Sequence, residues 1–187
     1  RLEQINQINA GEVRIALAQL NFTVGDFDGN FLKIADAVER ASGESAELVV
    51  FSEMATTGYP PRDLVTQPSF IDRNLALLDR VAALSTDRLG ILIGYVERNT
   101  ELTGKPLLNA AALCSGGRVV ERRQKTLLPT YDVFDEDRYF EPGTVVAPMM
   151  LGGARLGVSI CEDVWRDPEV SHARLYHRDP IAELAAA

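Results

Sequence analysis

Three apolar runs in this chain each lead into a side chain capable of acid–base or nucleophilic chemistry. A carboxylate, Glu53, closes the first run; an ammonium, Lys125, closes the second; and a thiol, Cys161, closes the third. Apolar runs of this length are typical of buried strands, and ligands of open sheets bind beside the strand ends. The pattern therefore predicts a sheet with one functional edge, where a glutamate, a lysine and a cysteine could meet and form a nucleophilic amidase site.

The hydrophobic periodicity predicts an α/β fold with a mixed sheet. Strands are predicted at 14–20, 47–53, 91–96, 107–114, 118–125 and 155–161, and helices around 31–38 and 71–82. The short, glycine-containing connection at 115–117 predicts an antiparallel hairpin. Residues 126–143 show little periodicity over a length that usually indicates functional structure. The order of strands and helices indicates a layered domain.

The two ends of the chain depart from this pattern. Residues 1–13 show no clear strand or helix period, and we interpret them as a leader or an extension. A helix is predicted from Asp179, which caps it, with Pro180 in its first turn. Because no strand follows this helix, we expect the domain at 14–187 to be incomplete on its C-terminal side.

Charge and cysteine content exclude several classes of function. The 187 residues include 27 acidic and 19 basic side chains, which gives a formal charge of −8. Nucleic acids and anionic membranes both require a basic surface, so neither is an expected partner. No apolar run approaches the roughly 20 residues that span a bilayer. Two cysteines, Cys114 and Cys161, form neither a disulfide framework nor a zinc pattern, which favours a reducing, cytoplasmic setting without a metal.

Each of the three side chains also has a purely structural interpretation. A cysteine on a strand is most often a small buried hydrophobic residue, and we keep this interpretation for Cys114. Glu53 could lie at a solvent-exposed strand end, and Lys125 could belong to a solvent-exposed edge strand. His172 and His177 could supply the base of a cysteine–histidine pair, but in a charged tail they are more simply incidental.

Taken together, three segments resemble the nitrilase, or carbon–nitrogen hydrolase, superfamily. They are Phe-Ser-Glu-Met-Ala-Thr-Thr-Gly-Tyr-Pro-Pro-Arg-Asp-Leu at 51–64, Arg-Gln-Lys-Thr-Leu-Leu-Pro-Thr-Tyr at 123–131 and Ile-Cys-Glu-Asp-Val-Trp at 160–165. The triad of this superfamily is Glu, Lys and Cys in the same order. The resemblance implies an α-β-β-α sandwich with a mixed sheet.

The resemblance and the chemistry of the side chains together give each residue a role. Glu53 is expected to be the general base, Cys161 the nucleophile, and Lys125 the cation that stabilises the oxyanion and the thiolate. The backbone N–H of Glu162, directly after the nucleophile, is a second candidate donor to the oxyanion. Glu136 is expected to hold Lys125 in place, with a surface acid as the alternative.

Two narrower motifs, at 58–64 and 131–140, resemble one branch of the superfamily. In that branch a glutamine-hydrolysing domain passes ammonia to an ATP-dependent synthetase domain. The resemblance implies glutamine as the substrate and no cofactor for its hydrolysis. It also implies ATP and Mg for the synthetase domain, which the sequence does not contain. The expected partners are that synthetase domain and further copies of the chain in a homo-oligomer.

A glutamine pocket needs polar groups for the ammonium and the carboxylate beyond the scissile amide. The resemblance assigns this function first to Tyr131 and then to Tyr59, Glu162 and Trp165. Simple loop packing is an equal alternative for Tyr59 and Trp165. Two other hypotheses remain open: a different amidase or carbamoylase of the superfamily, and a catalytically silent assembly module.

Overall fold

The computed structural model describes residues 13–165 and 176–187, so the predicted leader, apart from Val13, lies outside the described residues. The strands are β1 (Ile15–Ala18), β2 (Leu48–Phe51), β3 (Gly90–Arg98), β4 (Leu107–Ser115), β5 (Arg118–Gln124), β6 (Met149–Leu151) and β7 (Ala154–Leu156). The α-helices are α1 (Phe27–Gly43), α2 (Pro68–Ala82) and α3 (Pro180–Ala186). Short 3₁₀ helices cover Arg62–Thr66, Glu136–Arg138 and Cys161–Val164.

The first five strands form one mixed sheet in the order β1-β2-β3-β4-β5. β1, β2 and β3 pair in parallel, and each parallel connection contains a helix, as parallel neighbours require. β3, β4 and β5 pair antiparallel, and the β4–β5 turn is the hairpin predicted at 115–117. The predicted mixed α/β fold is therefore confirmed.

The sheet buries its two faces against different partners, because alternate residues of a strand point to opposite faces. On one face, Val49 and Ile91 pack with α1 and α2 in the main core. On the other face, Leu48 and Leu113 pack with Met149 of the β6–β7 hairpin. The layers run in the order helices, five-stranded sheet and two-stranded sheet, which corresponds to three layers of the expected sandwich.

The strand predicted at 155–161 is wrong over most of its length. β7 ends at Leu156, and residues 157–160 belong to no strand. The physical reason lies at Ile160, whose N–H donates to the carboxylate of Asp163 at 3.0 Å instead of to a neighbouring strand. The chain then turns at Cys161 into a 3₁₀ helix. The hydrophobic periodicity of the sequence also does not predict β6, because three residues are too few to show an alternation of apolar and polar side chains.

The segment that follows β2 crosses directly over β3 because residue 94 is glycine. A Cβ atom at Gly94 would lie 2.4 Å from the backbone nitrogen of Met54 and 2.7 Å from Cα of Glu53. Real Cβ contacts essentially never fall below 3.0 Å. Gly94 therefore allows the backbone that carries Glu53 to lie on the sheet.

Replacement of Gly94 by alanine should force this crossing apart. We expect Gly94→Ala to lower the free energy of unfolding by about 1–3 kcal/mol, because the added methyl group meets backbone atoms rather than a flexible side chain. Gly43→Ala is the matched control, since a Cβ atom there meets nothing within 4 Å. Thermal unfolding followed by circular dichroism measures both variants, and equal Tm values for Gly94→Ala and wild type would contradict the close approach.

Candidate active site

Lys125 is the centre of a buried ionic cluster. Its backbone N–H donates to the carbonyl of Asn109 at 2.8 Å, which keeps the residue beside β4 directly after β5 ends, and the residue is fully buried. Nζ donates to Oε1 of Glu53 at 2.7 Å. It also donates to both carboxylate oxygens of Glu136, each at 2.9 Å. The structure thus brings Glu53, Lys125 and Glu136 together from the ends of two strands and from the 126–143 segment.

Two neutral side chains supply further donors to these carboxylates. The hydroxyl of Tyr59 donates to Oε1 of Glu136 at 2.9 Å. Tyr59 was predicted to contact the substrate, but its hydroxyl is already bonded within the cluster. The amide Nδ2 of Asn109 donates to Oε1 of Glu53 at 2.6 Å and to Oε2 of Glu136 at 3.1 Å. The sequence analysis missed Asn109. Its only signal was one amide within the otherwise apolar run at 107–114.

The surrounding carboxylates keep Lys125 charged. Burial opposes the charge, but Glu53 and Glu136 outweigh burial and raise the pKa of Lys125 above its ordinary value. Burial and the charge of Glu53 also raise the pKa of Glu136, against the opposite effect of Lys125. Because Lys125 remains an ammonium at neutral pH, it can stabilise negative charge but cannot accept a proton.

Cys161 lies on the open side of the cluster. It is exposed and begins its 3₁₀ helix with φ at 45°, in the left-handed region that residues with a Cβ atom rarely adopt. Burial around the sulfur and the charge of Glu53 raise the pKa of the thiol to about 11, although Lys125 acts in the opposite direction. At neutral pH the group is therefore a thiol. The charge of Glu53 acts on this thiol, so this carboxylate is a neighbouring base of Cys161.

Asp163 ties the turn of Cys161 to the backbone that follows Lys125. Its Oδ1 accepts from the N–H groups of Thr126 at 3.0 Å and Leu127 at 2.9 Å, and its Oδ2 accepts from Ile160 at 3.0 Å. One buried carboxylate thus fixes the spacing between the thiol and the ammonium. The sequence analysis missed this function, because a sequence does not show which backbone groups a carboxylate will accept.

The remaining predicted substrate contacts surround the buried carboxylate of Glu162. Its Oε2 accepts from the hydroxyl of Tyr131 at 2.7 Å, and its Oε1 accepts from Tyr176 at 2.8 Å. The hydrogen bond to Glu162 raises the pKa of Tyr131 to about 12, so this phenol stays a donor. Tyr131 is 44% exposed, and its ring contacts Phe134 edge to face at 5.7 Å between centroids. Trp165 follows the 3₁₀ helix and is 58% exposed.

Among the described residues, neither His177 nor a metal-type cluster takes part in this arrangement. His172 lies outside the described residues, and His177 makes none of the hydrogen bonds that build the cluster. Within 13–165 and 176–187, no group of three or more histidine, cysteine and acidic side chains is arranged to hold a metal ion.

The buried Glu–Lys pair, with the thiol beside it, lies at the strand ends of a mixed sheet that packs against helices on one face. The carbon–nitrogen hydrolase family matches residues 14–178, and the chain belongs to this family. The superfamily resemblance of the three sequence segments is thereby confirmed.

Individual proteins similar to this chain have more specific names than the family. The chain is 39% identical over 161 residues to the glutamine-dependent NAD(+) synthetase of Thermotoga maritima, an alignment that covers 85% of this chain and 27% of that protein. It is similar to the structure of glutamine-dependent NAD+ synthetase from Acinetobacter baumannii, with a TM-score of 0.75 and 31% identity, over 82% of this chain and 28% of that one. The chain therefore spans under a third of the length of either relative.

An amidase from Nesterenkonia sp. is a further structural relative. Its TM-score is 0.70 at 28% identity, over 88% of this chain and 61% of that chain. That structure, of a variant of the amidase, shows covalent addition of the acetamide moiety of fluoroacetamide at the active site cysteine.

Removal of one acceptor oxygen from Asp163 should loosen the turn of Cys161. In Asp163→Asn the amide nitrogen cannot accept, so at least one buried N–H group loses its partner, and we expect stability to fall by about 1–3 kcal/mol. Thermal unfolding should show a Tm lower by several degrees. Asp87→Asn, at an exposed position, is the matched control and should unfold like the wild type. Identical curves for both variants would refute the structural function of Asp163.

Proposed function

We propose that this chain is the glutamine amidohydrolase part of a glutamine-dependent NAD synthetase. The observation that carries the proposal is the Glu53–Lys125 pair beside a thiol that stays protonated at neutral pH. Such a thiol attacks an amide only when a neighbouring base takes its proton. The similarity to proteins named glutamine-dependent NAD synthetase supports glutamine as the amide.

The proposed reaction proceeds through a thioester. Glu53 takes the proton of Cys161 as the sulfur attacks the side-chain carbonyl carbon of glutamine. The carbon–nitrogen bond then breaks, and Glu53 returns the proton to the leaving nitrogen, which departs as ammonia. Water, deprotonated by Glu53, attacks the thioester, releases glutamate and restores the thiol. Glutamine and water are thereby converted to glutamate and ammonia.

Lys125 has a different function in this scheme. It stays an ammonium, so its charge can stabilise the oxyanion that forms when the sulfur attacks. The backbone N–H of Glu162 is proposed as a second donor to that oxyanion. Glu136 accepts hydrogen bonds from Lys125 through both of its oxygens and is proposed to hold the ammonium in place.

Substrate recognition is proposed to occur around Tyr131 and Glu162. Tyr131 is exposed beside Cys161 and donates to Glu162, so the pair offers polar atoms to the amino-acid end of glutamine. Tyr59 and Trp165 complete the proposed contacts: Tyr59 through its ring, because its hydroxyl binds Glu136, and Trp165 from an exposed position.

The proposed partners follow from the relatives. Ammonia released here would pass to an ATP-dependent synthetase domain, which uses Mg and amidates nicotinic acid adenine dinucleotide to NAD. Hydrolysis itself is proposed to need no cofactor. Copies of the chain are proposed to form a homo-oligomer.

Two free cysteines support a reducing compartment, and we propose the cytoplasm. No helix among the described residues is long and apolar enough to cross a bilayer.

A second candidate is a different amidase of the same family. It is favoured by the similarity to the Nesterenkonia amidase, of which the chain covers a larger share than of either synthetase. A panel of glutamine, simple amides and ureido acids separates the two candidates. Hydrolysis of ureido acids or simple amides without hydrolysis of glutamine would exclude the glutaminase proposal.

Substitution of the proposed nucleophile should abolish turnover. We expect Cys161→Ala to lower the rate of ammonia release from glutamine by more than about 1000-fold, because no other group can form the thioester. A diazo-ketone analogue of glutamine should add one adduct to Cys161, detected by mass spectrometry. Cys114→Ala is the matched control and should keep both turnover and labelling, since Cys114 is buried in the main core. Unchanged turnover in Cys161→Ala, with no adduct in wild type, would show that Cys161 is not the nucleophile, whereas neither turnover nor an adduct in wild type would support the assembly-module hypothesis.

Removal of the ammonium should affect hydrolysis and stability together. We expect Lys125→Met to lower glutamine hydrolysis by about 100- to 1000-fold, the usual effect of losing one oxyanion donor. Stability should also fall by about 3–5 kcal/mol, because the buried Glu136 loses its cation. In a full-length synthetase, NAD synthesis from added ammonia should persist in this variant. Equal loss of the glutamine- and ammonia-supported reactions would argue against a separate glutaminase step.

A further inference from the structure

The side chain of Asn109 contacts both carboxylates of the cluster. It lies on β4, is 1% exposed, and donates through Nδ2 to Oε1 of Glu53 at 2.6 Å and to Oε2 of Glu136 at 3.1 Å. Lys125 donates to the same oxygen of Glu53, Oε1, at 2.7 Å. Two donors therefore converge on one oxygen of the proposed base.

The orientation of the Asn109 amide follows from its neighbours. A reversed amide would place Oδ1 against two carboxylates, which is repulsive, whereas Nδ2 can donate to both. In the observed orientation Oδ1 is buried and accepts no hydrogen bond from the described residues. Because an unpaired buried acceptor is unfavourable, packing alone would favour an apolar side chain at this position. The benefit of the amide therefore lies in its two donated hydrogen bonds.

We propose that Asn109 is the positioning residue of the general base: it holds Glu53 by Oε1 and leaves Oε2 to receive the proton of Cys161. This inference rests on the proposed function in one respect, which is that Glu53 is the base. It assigns to Asn109 no contact with the substrate.

The proposal predicts a direction for the pH dependence. The charged and titratable groups that face Glu53 are Lys125 at the end of β5, Glu136 from the 126–143 segment with Tyr59 bound to it, and Cys161. A hydrogen bond donated to a carboxylate favours its ionised form. Replacement of Asn109 by a residue without a donor removes one of the two hydrogen bonds donated to Oε1 of Glu53. The acid limb of any reaction that needs ionised Glu53 should therefore move to higher pH.

Alkylation of Cys161 by iodoacetamide tests this without glutamine. The sulfur forms a bond to the methylene carbon as iodide leaves, and the thiol proton passes to Glu53 and then to water. The rate of carbamidomethylation of the Cys161 peptide is measured by mass spectrometry between pH 4.5 and 9. We expect Asn109→Leu and Asn109→Ala, which both remove the donor without adding a charge, to move the acid limb upward by about one pH unit. At pH 6 their rates, relative to their own plateaus, should be several-fold below wild type.

Asn74→Ala is the matched control. Asn74 is also fully buried, and its amide bonds to Thr56 and Val96 instead of the cluster. Loss of this buried amide should lower Tm but leave the acid limb of Cys161 alkylation where it is in wild type. Two Asn109 variants keep the test informative if one of them fails to fold.

Each outcome decides between the alternatives. Acid limbs that coincide with wild type in the folded Asn109 variant, or an equal shift in Asn74→Ala, would show that Asn109 only packs. If Glu53→Gln leaves the wild-type profile unchanged, Glu53 is not the base, and both this inference and the proposed function fail. If the acid limb shifts as expected but glutamine is not hydrolysed, the function of Asn109 stands and only the proposed substrate is wrong.

Discussion

The burial of one ammonium group, that of Lys125, is the constraint on which the rest of the site depends. Moving an ammonium out of water is strongly unfavourable unless it is paired and hydrogen-bonded. The pairing groups come from separate elements: Glu53 after β2, Glu136 from the 126–143 segment, and Asn109 on β4 to orient both. All three elements must reach their final positions before Lys125 can be buried, so the cluster forms together with the fold. Because such clusters stabilise a fold less than apolar residues of similar volume, we infer that the charge is retained for chemistry.

The cluster sets the state of Cys161 through its charge balance. Two carboxylates face one ammonium, and the thiol beside them has a pKa raised to about 11. A cation next to a cysteine would ordinarily favour the thiolate, and that was the effect expected of Lys125. The neighbouring carboxylates and burial outweigh it. In the proposed reaction the proton of the thiol therefore leaves during the attack, and Glu53 is its proposed acceptor. Base and cation cannot exchange functions, because Lys125 has no free site for a proton.

The sequence predicts the parts of this structure that depend on periodicity. Runs at 47–53 and 91–96 form strands because their apolar residues match a sheet buried on both faces, whereas the more polar run at 118–125 forms the second strand of the predicted hairpin. The runs at 47–53 and 118–125 bring Glu53 and Lys125 to one place. The sequence does not predict hydrogen bonds that form only when the fold brings two groups together. Asp163 takes the N–H of Ile160 and so ends the expected strand before Cys161. Asn109 and Tyr176 join the site through hydrogen bonds to residues far along the chain, for which a single sequence gives no signal.

Chemistry and substrate choice are located on different parts of the fold. The chain is similar to a synthetase structure and to an amidase structure with TM-scores of 0.75 and 0.70, so the overall fold does not separate the two substrates. The proposed catalytic groups Glu53 and Lys125 lie where strands end, on the rigid sheet. Tyr131 belongs to the 126–143 segment, which varies more easily than a strand, and it binds Glu162, the neighbour of Cys161. A change at Tyr131 alone can alter which amide fits while Glu136, in the same segment, continues to hold Lys125. The proposed substrate contacts therefore lie at the Tyr131–Glu162 pair, apart from the proposed catalytic Glu53–Lys125 cluster.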